Sequence, residues 1–365
     1  MKEGILVATV VVSRKETAVE LDLDTFLTAV YVVVDELYQE QVARSKPVRW
    51  GKAAEVSDSE VLTLAILAQW QPRRSEAAFL RYVAAHWRGY FPRQLCQEDF
   101  NRRARDLGGV LWALGPLIAA RLAALVPQPP CYQVLDGIPV PLMRRCRGDR
   151  PKCFHAEAAV GRGGSDDDWY YGVCLLLCVD QAGSSTGFVA GPASTGERWL
   201  AEALLRWRAD PSAPAPTAAH LDAILGPGKE KGGARRGPTG PIGPWLAAGD
   251  PAAVAYLADL GLAGRHWQRH WQEHYDALVL TKRDFQALGG VVDQTAAASC
   301  HASFRQVVET TNNFPDKYLG LKFPNARTYW GLITRLAAKV VAANLARYLN
   351  HCFGRLPFAH FDPLG

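Results

Sequence analysis

The chain lacks any CxxC pair, and no two of its cysteine pairs have zinc-finger spacing. Its eight cysteines, Cys96, Cys131, Cys146, Cys153, Cys174, Cys178, Cys300 and Cys352, are scattered. This argues against a structural zinc module and fits the reduced thiols of a cytosolic protein. The apolar run ILVATVVV at 5–12 is too short to span a bilayer and has no small-residue cleavage site after it. A strong charge of either sign is also missing. The net charge of +5 and pI of about 8.7 are compatible with a polyanionic partner without demanding one. Together these absences predict a soluble cytoplasmic protein with no membrane partner.

What is present is a chain of 365 residues, 48% hydrophobic, long enough for two or three domains. Eleven tryptophans fit large buried helical interfaces. Residues 1–16 read as an N-terminal extension. From Leu21, apolar residues recur at spacings of three and four: Leu23, Phe26, Leu27, Val30, Val33 and Val34. Ser57 followed by Glu60 makes a capping box ahead of VLTLAILAQW. A third helix spans about 75–90, and a fourth about 97–125 with a break at Gly108-Gly109. Residues 17–126 thus read as an all-helical N-terminal domain.

The pattern then changes. β-type runs appear at 131–135, 170–179, 187–190, 254–258 and 277–283, with helices at about 196–208, 265–274 and 327–349. Alternating strands and helices predict an α/β domain over 127–365 whose sheet has parallel members. It is interrupted at about 209–248 by a Pro/Gly-rich insertion that cannot form a packed core.

Two acids end β-type runs: Asp136 in CYQVLDGIPVP and Asp259 in LADLG. Each has a glycine just after it, Gly137 and Gly261. Gly137, Pro139 and Pro141 stop a helix from following the strand directly, and Gly137 and Pro139 read as a sharp turn away from it that leaves Asp136 open. If the strands are parallel neighbours, the two carboxylates emerge at one sheet edge. Glu309, in RQVVETTNNF, is a third acid on a helix after the last strand. Arg305 precedes it by one turn and shares its face. Lys317 lies about two turns further on. Three converging carboxylates repel unless a divalent cation fills them, and all-oxygen ligation suits Mg²⁺ or Mn²⁺. Asp250, followed by Pro251, reads as an N-cap. Asp166, Asp167 and Asp168 read as a solvated loop, and Asp180 as a hairpin turn.

This ordered set resembles a bacterial insertion-sequence DDE transposase. The likeness rests on VLDGIPVP, LADLGLAGRHW and RQVVE, with the Arg305-x-x-x-Glu309 spacing. It extends to SDSEVLTLAILAQW, DFNRRARDL, HAEAAVGR, GFVAGPAS and the C-terminal ARTYWGLITRLAAKVVAANLARYLN. The resemblance covers the chain from about residue 20. It implies a ribonuclease-H-like mixed sheet flanked by helices, with Asp136, Asp259 and Glu309 as the metal triad and Arg305 and Lys317 as catalytic partners. The implied reaction is Mg²⁺- or Mn²⁺-dependent cleavage of double-stranded DNA at element ends, then strand transfer, by a homodimer. A nuclease without strand transfer, or a DNA-binding derivative with a dead site, are the other readings. Arg102, Arg103 and Arg105, with the stripe Arg327, Arg335 and Lys339, are candidates to contact DNA phosphates; a solvated helix face is the alternative for each.

Overall fold

Ser57 shows how closely local chemistry sets the first half. Its Oγ accepts from the Glu60 N–H at 3.1 Å, and Glu60 Oε2 accepts from the Ser57 N–H at 2.6 Å, so the capping box is formed in both directions. The computed structural model describes residues 21–41, 54–70, 75–126, 132–144, 154, 157–163, 168–216, 255–284, 306 and 309–361. Five helices come first: α1 (Leu23–Gln41), α2 (Asp58–Trp70), α3 (Glu76–His86), α4 (Gln97–Asp106) and α5 (Gly108–Leu125). The break expected at Gly108-Gly109 falls at Leu107. Helix α5 has the length and apolar character to cross a membrane. Here it is a core helix: Leu111, Leu114 and Ile118 are buried, and the Gly115 carbonyl accepts from Asn344 Nδ2 at 2.8 Å.

The second half is α/β, with a mixed open sheet flanked by helices. Its strands are β1 (Tyr132–Arg144), β2 (Ala159–Gly163), β3 (Asp168–Asp180), β4 (Ser185–Pro192), β5 (Ala255–Ala258) and β6 (Val279–Thr281). The order is β2-β3-β1-β5-β6, and β4 continues the edge of β3 beyond β2. β3 is antiparallel to β1, β2 and β4, whereas β1, β5 and β6 run parallel. Side chains alternate across the sheet. Leu135, Tyr256 and Ala258 pack with Trp199, Trp267 and Trp271 of α6 (Glu197–Ala209) and α7 (Arg265–Tyr275). Val134, Ile138 and Leu257 pack on the other face, with residues of α8 (309–319) and α9 (Tyr329–Cys352). That second cluster also holds Phe26, Ile66 and Leu111, so the front helices and the sheet share one core.

One expectation is corrected. β1 does not stop at Asp136, and Gly137 and Pro139 do not turn the chain away. The strand runs on to Arg144, with Pro139 opposite Cys174 and Pro141 opposite Gly172. Proline lacks a donor but is tolerated where its nitrogen faces an unpaired edge. β5 pairs only with Tyr132–Leu135, so among the described residues the edge beyond Asp136 is open and two prolines two residues apart can face it. The Asp180 turn is as expected: its Oδ1 accepts from the Ser184 N–H at 2.8 Å, and Gly183 supplies a φ of +80°. Strand β2 was not foreseen as a strand. The 1–16 extension, most of the insertion, Asp166, Asp167 and Asp250 lie outside the described residues.

Candidate functional site

Asp136 and Asp259 come together through register. Leu135 of β1 pairs with Ala258 of β5 in parallel alignment, so the acids are the next residue on each of two neighbouring strands. Parity puts both on the same face. Each is two residues beyond a side chain of the α8/α9 cluster: Val134 for Asp136 and Leu257 for Asp259. Asp136 is half-buried and Asp259 exposed. Asp259 also caps the single 3₁₀ turn Leu260–Leu262, accepting from the Leu260 N–H at 2.6 Å.

Helix α8 lies over that face and carries Glu309, which is exposed at its start. One turn later on the same face, Asn312 Nδ2 donates to Asp136 Oδ2 at 2.6 Å. The helix is anchored on its other sides by the core. Thr311 Oγ1 donates to the Gly183 carbonyl and accepts from Arg347, which also donates to the Ala182 carbonyl. Phe314 and Leu319 are buried. Lys317 lies over the ring of its neighbour Tyr318 at 5.0 Å and is exposed. By helical geometry it is off the Glu309–Asn312 face. Arg305 lies outside the described residues.

The basic stripe on the last helix is corrected. Lys339 is 1% exposed, and its Nζ donates to the Leu319 carbonyl, the last residue of α8. A cation at the end of a helix satisfies an orphan carbonyl and opposes the negative end of the dipole. Lys339 therefore fixes the far end of the helix that carries Glu309 and does not face solvent. Burial, then the neighbouring Arg335, pull its ammonium down to about 7. Arg335 itself bonds Glu76 and the Asn325 carbonyl. Arg103 is held by Asp58 and the Val56 carbonyl, and Arg102 pairs with Asp99 and Asp106. Arg327 is exposed. It lines, with Arg105, Leu142, Phe323 and Arg335, a groove of about 920 Å³ between the front helices and α9.

A further acid, Glu197, reaches the strand ends from the opposite face. A Cβ built on Gly137 would stand 2.5 Å from its Oε1, and one on Gly261 2.2 Å from its Oε2. The two glycines that follow the two acids therefore make room for this carboxylate. Burial first, then the Glu197 and Asp136 carboxylates, push the Cys174 thiol up. Sequence reasoning missed Glu197 and Asn312. Glu197 begins a helix straight after GFVAGPAS, and the repeated acid-then-glycine context was its only signal; Asn312 left none.

The donor set facing α8 is hard oxygen throughout: two Asp, one Glu and the Asn312 amide, whose Oδ1 is buried without a hydrogen-bond partner among the described residues. Those donor types fit Mg²⁺ or Mn²⁺. Among the described residues, no three His, Cys, Asp or Glu side chains converge on an ion position as they stand. Set against family models, curated proteins and solved structures, the chain matches none.

Proposed function

We propose that the chain is a metal-dependent DNA phosphodiester enzyme of the DDE transposase kind, working at the Asp136–Asp259–Glu309 site. The observation that carries the reading is the register of β1 and β5. It brings two acids from distant parts of the sequence to neighbouring positions on adjacent strands, on one face, under the helix of the third. The mixed sheet, with β3 antiparallel to β1 and β4 and with β1, β5 and β6 parallel, is compatible with a ribonuclease-H-like arrangement.

In this reading Asp136, Asp259 and Glu309 supply anionic oxygens to Mg²⁺ or Mn²⁺. A bound ion would supply activation of the attacking oxygen and stabilisation of the leaving one. The protein's part is positioning: parallel pairing fixes the Asp pair, and Lys339 and Thr311 hold α8 above it. Arg327 and Arg105 border the groove where a DNA backbone would lie. The chain acts as a homodimer on element ends and target DNA in the bacterial cytoplasm.

The test is incubation of the full chain with Mn²⁺ and DNA carrying the element's inverted ends, reading nicking and strand joining on gels. Wild type should nick and join. Cleavage retained in Asp136→Asn would remove that residue from the mechanism, and nicking without joining would make the protein a nuclease.

A further inference from the structure

Asn312 carries two observations that belong together. Its Nδ2 donates to Asp136 at 2.6 Å. An ionised carboxylate only accepts, so the amide nitrogen must be the atom facing it. Oδ1 therefore points elsewhere, and it is buried without a hydrogen-bond partner among the described residues. Leaving a buried carbonyl unsatisfied costs about 1–3 kcal/mol. Such an atom in a native fold calls for an explanation beyond helix packing.

Docking of α8 does not explain the residue. Thr311 bonds the Gly183 carbonyl and is held by Arg347, Phe314 and Leu319 are buried, and Lys339 caps the far end. An apolar side chain at 312 would leave all of these contacts in place and remove the orphan atom. What the amide adds here is a neutral donor that holds Asp136. It does this one turn from Glu309 and on the same helix face.

We propose that Asn312 is a positioning residue of the acid site. It orients the Asp136 carboxylate for a divalent cation. The inference rests on the metal-dependent reading above. Groups that orient a metal ligand from outside change affinity by about 10–100-fold when removed.

The experiment uses the full chain and Mn²⁺ alone. Binding is read from loss of the free-ion electron paramagnetic resonance signal, and thermal unfolding is followed with and without the ion. Asn312→Ala is expected to weaken Mn²⁺ binding by about 10–100-fold, with little change in metal-free Tm. Asn312→Asp sets a second carboxylate against Asp136. It should lower the metal-free Tm and show a larger Mn²⁺-induced rise than wild type. Should Asn312→Ala not fold, Asn312→Ser is measured in its place. A lowered Tm with unchanged Mn²⁺ affinity in the Ala or Ser variant, or no extra Mn²⁺ response in Asn312→Asp, overturns the proposal. Wild type that takes up Mn²⁺ alongside unchanged variants overturns this inference alone. Wild type with no Mn²⁺ response overturns it together with the reading on which it rests.

Discussion

Glu197 and Glu202 stand on the same helix, α6, and differ in almost everything else. Glu202 is 0% exposed. It accepts from Trp271 Nε1 at 2.9 Å, from the Tyr275 hydroxyl at 2.5 Å and from His270 Nε2 at 3.2 Å. A carboxylate only accepts, so the imidazole nitrogen facing it carries a proton. These donors, all from α7, turn a buried charge into a clamp between two helices. A structural acid is surrounded by donors from the element it holds. Glu197 is set instead beside two glycines and in the neighbourhood of another acid, Asp136.

The largest separation between these regions should come from paired substitutions. Asp136→Asn is expected to lower Mn²⁺-dependent cleavage by on the order of 10³-fold while its Tm stays near wild type. Glu202→Ala should do the reverse. Stripping the acceptor from buried Trp271 and Tyr275 costs about 3–5 kcal/mol in urea unfolding. A stable Glu202→Ala protein would mean that the clamp adds little.

Lys339 tests the same contrast with the opposite charge. Its pKa is lowered from 10.5 to about 7 by burial, so the folded state binds fewer protons than the unfolded state between those values. Stability should therefore rise as pH climbs from about 7 towards 10.5, and the contribution is lost as pH falls through about 7. Lys339→Met should flatten that slope, a change of about 3–4 kcal/mol between pH 7 and 10. An unchanged slope would show that the ammonium is solvated after all.

The smallest effect is predicted for Gly261→Ala. The new Cβ meets only the far end of the Glu197 side chain, which can swing aside. Stability should move by less than about 1 kcal/mol. A larger loss, read from Tm, would mean that Glu197 is held as rigidly as Glu202, and the contrast would fail.

Much of the local structure was legible because it depends on neighbours in sequence. The Ser57–Glu60 box, the periodicity of α1 and the short apolar run before Asp259 each report on a few adjacent residues. Tryptophan abundance also announced its use: Trp199, Trp207, Trp267 and Trp271 are buried in the layer between α6, α7 and the sheet. The prolines after Asp136 misled. Whether proline ends a strand depends on which edge its nitrogen faces, and that depends on a partner more than a hundred residues away.

The sequence by itself determined most of the helices and strands, though not β2 or the length of β1, and that two acids each follow a short β-type run. Only the tertiary structure decided that those runs are neighbours in register, with both acids on one face. The reason is that side-chain direction alternates along a strand, so a slip of one residue would have sent one acid to the other side. Packing likewise turned Lys339 inward as a helix cap, brought Glu197 up between two glycines and set Asn312 against Asp136. Each of these contacts joins residues far apart in sequence, where no local pattern records the distance.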